Sequence, residues 1–335
     1  MTDGNKSSFG TWAERFGDAW NRFWYTPSDA YPLGVMRVCV GLLALYFQLS
    51  YTPDLIRFFG DGGLLSPALT QQWNGGDGSF NPGAYSYLAI CDTPGKLYAA
   101  HGISTAILVL MTIGLFSRVT TVLGLLVVLA YIQRAPMITT QLETVLSMLM
   151  LYLCLGPNGA SWSVDRWLAR RKASGPARLA YLDRPRFSAT VAIRLIQVHL
   201  ALACLMMGLA KVRQATMLGP GLELDPWGSG EAVWMLISRP QSPWVNLAWL
   251  RDWPHVVNAW SHAIVIFELT FPILIWNRLT RPLMLCIAPL MWGSLALISG
   301  VAPFSLAMLI GNLAFFPPEI LRQVTGGREA KLAVV

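Results

Sequence analysis

Charge is what this chain has least of. Asp, Glu, Lys and Arg together make up 13% of its 335 residues against 54% hydrophobic ones, a balance that no soluble domain of this size keeps. Cysteine is also scarce: four of the five, Cys39, Cys154, Cys204 and Cys286, fall inside apolar runs. With Cys91 alone in a polar segment there is no loop pair to join in a disulfide and no Cys-x-x-Cys spacing, so no metal is expected. The alternation of a transmembrane β-barrel is missing. So are Gly-x-x-x-x-Gly-Lys, His-Glu-x-x-His and Gly-x-Ser-x-Gly, which excludes the commonest phosphate-cradling, zinc-hydrolase and serine-hydrolase sites. No basic groove with interleaved aromatics appears, so nucleic acid is not an expected partner. The N-terminus has no compact apolar core with a small-residue cleavage site, and the first span is expected to direct insertion.

What the chain does have is long apolar runs, at 31–50, 97–116, 119–133, 142–157, 189–211, 255–276, 283–299 and 302–317. Each reaches or approaches the roughly 20 residues that a helix needs to span a bilayer. Backbone groups in lipid must be satisfied within the segment, so the fold class expected is all-α: a polytopic transmembrane bundle of about eight helices. Placing both termini in the cytoplasm puts 16 of the 25 Lys and Arg residues on that side, which satisfies the positive-inside rule and accounts for the net charge of +7. The location expected is the inner (plasma) membrane. Residues 1–30 read as an amphipathic helix lying in the interface, because Phe9, Trp12, Phe16, Trp20 and Phe23 recur at helical spacing among Lys6, Arg15 and Arg22. Residues 31–318 form the membrane domain and 319–335 a cytoplasmic tail. Between the spans, 51–96 is a long outer loop rich in Gly, Pro and Asp, with turns expected around Gly75–Asn81. The basic stretch 163–188 reads as a solvated, lipid-facing charge run, and the outer segment 212–254 holds a short surface helix over Ser229–Ile237.

Lys211 closes the run from Val191 to Ala210. A charge there is expensive unless it is used, which makes a functional site the first hypothesis; the plainer alternative is a lysine that snorkels to the headgroups. Gln197, Cys204, Gly208 and Lys211 share one narrow, small and polar face, suited to protein or water and not to lipid. Other helices offer polar faces at the same outer end. The second opens with His101 and Thr105, the fourth carries Thr140, Glu143, Thr144 and Ser147, and the sixth puts His255, Asn258, Ser261, His262 and Glu268 within a sector of about 140°. Glu268 lies about 20 Å below Pro254, deeper than the others. The pattern predicts one outer-facing cavity lined by an amine, two carboxyls and imidazoles. Each member also has a structural alternative: Glu268 bonding a neighbouring helix, His101 and Glu143 capping helix starts, His262 packing. A lysine taken out of water prefers its neutral form, and a neutral amine serves either as a base or as a Schiff-base nucleophile.

At these residues the chain resembles the HTTM (horizontally transferred transmembrane) family, related to vitamin K-dependent gamma-glutamyl carboxylase. The resemblance runs from about Tyr31 to Pro318. It is carried by Leu33–Arg37, Phe58-Phe59-Gly60 with Gly63-Leu64-Leu65, Trp162-Ser163-Val164-Asp165, and Gly208-Leu209-Ala210-Lys211. Trp227-Gly228, Glu231-Ala232-Val233-Trp234, Glu268 with Pro272, and Ala302-Pro303-Phe304-Ser305 follow in order. It implies that Lys211 is the base acting on a reduced, vitamin K-like quinone, on the outer (periplasmic) face. Glu268, His262 and Glu143 would position or relay protons, and His101, Asn258, Trp227 and Gln141 would hold the substrate. Gln141 falls where the carboxylases carry an Asn-His pair, which here reads Thr139-Thr140-Gln141. Peptide carboxylation is not expected. Two other classes fit the same polar cavity: a non-catalytic membrane subunit binding quinone or lipid, and a transporter. The partners implied are membrane lipids and a lipophilic small molecule.

Overall fold

The computed structural model describes residues 8–60, 62–66, 86–173, 175–217, 226–239 and 245–326. Helices α1 (Ser8–Tyr25), α2 (Tyr31–Ser50), α3 (Leu55–Phe59), α4 (Pro94–Ile113), α5 (Ser117–Arg134), α6 (Gln141–Leu155) and α7 (Val164–Arg171) come first. They are followed by α8 (Pro176–Asp183), α9 (Phe187–Met217), α10 (Ala232–Ile237), α11 (Pro254–Leu274), α12 (Arg281–Ser299), α13 (Ala302–Asn312) and α14 (Pro318–Val324). Among the described residues no strand forms, and one isolated antiparallel bridge joins Ser28 to Arg186.

Six of these helices are long and apolar enough to cross a membrane: Tyr31–Ser50, Pro94–Ile113, Ser117–Arg134, Phe187–Val212, Pro254–Leu274 and Arg281–Ser299. The chain is a multi-pass membrane protein. The other two apolar runs are helical but short. At 1.5 Å per residue α6 extends about 22 Å and α13 about 17 Å, against a hydrocarbon core of roughly 30 Å. Both lie in the interior. α6 packs against α2, α5, α9 and α13, and its Leu146, Leu149, Met150 and Leu153 are wholly buried. Lipid tails are as apolar as leucine, so close packing and interhelical hydrogen bonds, not exclusion from water, hold such a core.

The ends of the helices follow local chemistry. Thr93 caps α4, its hydroxyl accepting from the Lys96 amide at 3.4 Å, with Pro94 in the first turn where a missing N–H costs nothing. Gly114 ends the same helix with φ 71°, the left-handed backbone that glycine adopts freely. The Trp162–Asp165 stretch is a joint. Asp165 accepts from the Phe116 and Ser117 amides at 2.9 and 2.7 Å, capping α5, and Ser163 caps α7. Fully buried Arg37 of α2 donates to the carbonyls of Trp162 and of Asn158, the latter at 3.3 Å.

Helix α1 carries a ladder of stacked rings. Trp12 and Phe16 are 5.6 Å apart and Phe16 and Trp20 6.2 Å, all three exposed, while Phe23 turns inward against Trp276. The basic connector differs from the expected solvated run. It folds into α7 and α8, and Arg166 is buried against Asp183, because a guanidinium with a carboxylate to fork around gains more by pairing than by hydration at the surface. On the 51–96 side, Arg134 reaches across from α5 to the carbonyls of Phe59, at 3.1 Å, and Leu65. The turns expected around Gly75–Asn81 lie outside the described residues, as do 218–225 of the 212–254 segment. The short helix predicted over Ser229–Ile237 forms over Ala232–Ile237.

Candidate functional site

Helices α9 and α11 pack against each other, and Gly208 lies where they approach closely. A Cβ on this residue would stand 2.8 Å from Leu269 Cδ2 and 3.2 Å from Glu268 Cβ, so the missing side chain sets how near the two backbones come. Three residues on, Lys211 leans along the same face. Its Nζ donates to both oxygens of Glu268, at 2.7 Å to Oε1 and 2.6 Å to Oε2. The lysine side chain is 17% exposed and the glutamate side chain 1%. The depth difference expected between them is closed by the length of the lysine side chain. The proline four residues after Glu268, Pro272, has no N–H to offer the Glu268 carbonyl.

The pair lies in the wall of a cavity of about 550 Å³. The cavity occupies space that the two short helices leave free: Thr140 and Gln141 at the start of α6, and Val301 and Phe304 at the start of α13, line it. Met207, Ala210, Leu236, Trp292 and Leu295 supply apolar walls, and Arg239 and Ser299 add polar groups. Trp227 also lines it, with Lys211 Nζ 4.8 Å from the centre of its ring, within the range of a cation–π attraction. The α6 N-terminus is already met by the Glu143 carboxylate, so the N-terminus of α13 is the one that favours negative charge in the cavity.

The predicted site residues separate into groups. Lys211, Glu268, Trp227 and Gln141 are brought together. His262 and Asn258 stand behind the cavity and hold the 226–230 turn that carries Trp227. His262 Nδ1 is 2.8 Å from the Asn258 carbonyl and Nε2 3.3 Å from that of Gly228. The Asn258 amide, oriented by its acceptors, donates to the carbonyls of Pro254 at 3.2 Å and Gly230 at 3.1 Å. Gly230 has φ 84°, and a Cβ there would stand 2.9 Å from both Asn258 Cβ and His262 Cε1. These two residues are positioning groups, and neither lines the cavity.

The single four-helix convergence expected from the sequence does not form. Glu143 is engaged at the start of α6 in a capping box, accepting from the Thr140 amide at 2.8 Å and its hydroxyl at 2.5 Å. His101 belongs to a second polar cluster between α2, α4 and α5. Its Nδ1 meets Tyr131 Oη at 2.7 Å and Gln48 Nε2 at 3.0 Å, and its Nε2 meets Thr52 Oγ1 at 3.0 Å. Neither Glu143 nor His101 lines the Lys211 cavity. Compared with protein-family models, curated proteins and solved structures, the chain matches none.

The sequence reading missed Trp292 and Arg239. Trp292 is 1% exposed, packs edge-on against Phe267 and Phe304, and its Nε1–H has no hydrogen-bond partner. A tryptophan in mid-span, with Ser299 seven residues on along the same face, was the available signal. Gln48 and Tyr131 were missed for another reason: they lie on different helices, and only the fold brings them to His101.

Proposed function

We propose that this chain is an HTTM-family protein of the inner membrane, an eight-helix bundle with both termini cytoplasmic and the Lys211 cavity opening to the outer, periplasmic side. In this reading Lys211 acts as a base on a reduced, quinol-like lipophilic substrate. The observation that carries it is the double contact of Lys211 Nζ with Glu268 in the wall of a largely apolar cavity to which Thr140, Gln141, Arg239 and Ser299 add polar groups. A lysine alone in such a place must either stay charged at great cost or lose its proton to water. With a carboxylate at hydrogen-bond distance, the proton passes from Nζ to Glu268 when the substrate binds, and the two charges vanish together. The neutral amine then accepts a proton from a ring hydroxyl, leaving an ammonium beside the new oxyanion, which the N-terminus of α13 further favours.

The cavity fits a quinol in size and character. About 550 Å³ lies within the range of sites for ring-sized ligands. Trp227, Trp292 and Phe304 offer aromatic faces, and the unpartnered Trp292 Nε1–H is a donor in search of an oxygen. Bound, a quinol would supply the oxidisable ring, and the protein the proton acceptor and the dry walls. His262 and Asn258 would act through the Trp227 turn, while Glu143 and His101 would serve stability.

The experiment is oxygen uptake by purified protein supplied with a reduced naphthoquinone, together with mass spectrometry of the small molecules extracted from it. The reading expects a bound quinone and uptake that Lys211→Met abolishes without loss of folding. Uptake unchanged in the variant would overturn it. A second reading, a non-catalytic quinone- or lipid-binding subunit, is favoured by the closeness of the ion pair, which uses both carboxylate oxygens on one amine. Bound quinone with no uptake in the wild-type protein would establish it.

A further inference from the structure

At the end of α9 away from Lys211, three regions far apart in sequence, 29–31, 160–184 and Arg322, line a second cavity of about 190 Å³. They comprise the approach to α2; the turn before α7, α7 itself and the end of α8; and α14. Six charged residues line it: Asp29, Arg166, Arg170, Asp183, Arg184 and Arg322. The two acids are already taken. Asp29 accepts from Arg322 and from the Tyr31 amide, and Asp183 from Arg166. Arg166, whose Nη1 also donates to the Leu182 carbonyl at 2.9 Å, is lowered in pKa by burial, with Asp183 working the other way. Arg170 touches Asp183 only at 3.3 and 3.5 Å, and Arg184 lies over the ring of Tyr181 at 4.2 Å. Arg170 thus shares Asp183 with Arg166, and Arg184, which donates to the Tyr181 hydroxyl, faces the cavity with no acid partner among the described residues. Four arginines against two aspartates leave it a net charge of +2.

The surrounding geometry is built, not incidental. Trp162, at the cavity wall, has φ 50°, a left-handed backbone that costs a non-glycine residue on the order of 1 kcal/mol. It is held there by the Arg37 bond to its carbonyl and by its own Nε1–H, which donates to Tyr31 Oη at 2.9 Å. Arg322 lies over the Tyr31 ring at 4.9 Å. A run of arginines serving only to be solvated needs none of these contacts.

We infer that this cavity binds a phosphate group, and that Arg170 and Arg184 are the residues that clamp it. Guanidinium forks match phosphate oxygens two by two, and a small cavity at the end of a membrane bundle suits the headgroup of an anionic phospholipid as well as a free phosphate ion. The site is independent of the Lys211 cavity and of the reaction proposed there.

The test uses the full-length protein in a neutral detergent, with dioleoyl phosphatidylglycerol, dioleoyl phosphatidylcholine and inorganic phosphate as probes. Binding is read by native mass spectrometry and by the unfolding temperature. Phosphatidylglycerol is expected to remain bound and to raise the unfolding temperature, while phosphatidylcholine does neither. The R170Q/R184Q double variant is expected to lose about tenfold or more in affinity, and R170K/R184K, which keeps the charge but not the fork, to fall between. An equal response to inorganic phosphate, with nothing added by phosphatidylglycerol, would identify the ligand as the free ion at the same site. Binding by neither anionic probe, or equal binding by wild type and R170Q/R184Q, would overturn the proposal. Both variants change side chains at the rim and should fold; an R170Q/R184Q protein that unfolds without ligand at the wild-type temperature confirms that any loss is of binding.

Discussion

Gly208 of α9 lies against Glu268 of α11, with space for a hydrogen but not a methyl: an added Cβ would stand 3.2 Å from Glu268 Cβ and 2.8 Å from Leu269 Cδ2. The glycine therefore sets the distance over which Lys211, one turn further on, must reach. Gly208→Ala meets chiefly the flexible end of Leu269 and should cost about 1 kcal/mol, whereas Gly208→Leu should cost about 3 kcal/mol and move the helices apart. Thermal unfolding measures the cost. A Gly208→Leu protein as stable as wild type would mean that this contact is not close.

Lys211 and Glu268 should behave as a unit. Removing either alone, as in Lys211→Met or Glu268→Met, leaves the other partner buried without its countercharge, a loss of about 3–5 kcal/mol in typical buried pairs. The double variant Lys211→Met/Glu268→Met should recover most of that stability while remaining inactive. Denaturation of the four proteins in a double-mutant cycle gives the coupling; costs that simply add would show that the pair is not coupled.

Arg134 ties the segment after α2 to the bundle through the carbonyls of Phe59 and Leu65. Arg134→Lys keeps the charge but cannot serve two divergent carbonyls from one planar fork. It should expose the 55–66 segment to limited proteolysis at least several-fold faster, with the rest of the bundle unchanged. Equal cleavage rates would assign the anchoring to other contacts.

Cys91 tests the orientation. The other four cysteines lie within apolar helices, so a membrane-impermeant maleimide added to intact cells should label Cys91 alone if the 51–96 loop is outside. Burial pushes its thiol up; the Lys96 ammonium acts the other way, and Asp92 adds a smaller push upward. A raised thiol pKa leaves less thiolate at neutral pH, so labelling should quicken as pH rises from 7 towards 9. Labelling that requires broken cells would reverse the topology.

The apolar runs made the helices legible, since a span of lipid-facing residues leaves the backbone no other way to satisfy itself. The run lengths overstated two of them. Residues 142–157 and 302–317 are apolar runs, but α6 ends at Leu155 before Gly156, and α13 ends at Asn312 before a 3-10 turn over Leu313–Phe315; the cavity lies over their starts. Lys211 and Glu268 were legible because an ionisable group within an apolar run has to find a partner. His101 and Glu143 were misplaced in the cavity because helical periodicity gives a residue's face but not the neighbour it meets. Gln48, Tyr131 and Thr52 claim the histidine, and the helix's own first turn claims the glutamate. The pocket formed by Arg166, Arg170 and Arg184 was hidden for a related reason: in sequence it is a charge run, and Asp29 and Arg322, which complete it, lie far away in the chain.

Infrared difference spectroscopy of the protein before and after addition of a reduced naphthoquinone bears most directly on the shared proton. Lys211 as base requires Glu268 to hold that proton when a ring hydroxyl is bound. A protonated-carboxyl band should therefore appear on addition of the quinol and be missing in Glu268→Gln. A carboxylate that stays ionised throughout, with no band lost in the variant, would mean that Lys211 and Glu268 form a fixed ion pair and that the base lies elsewhere.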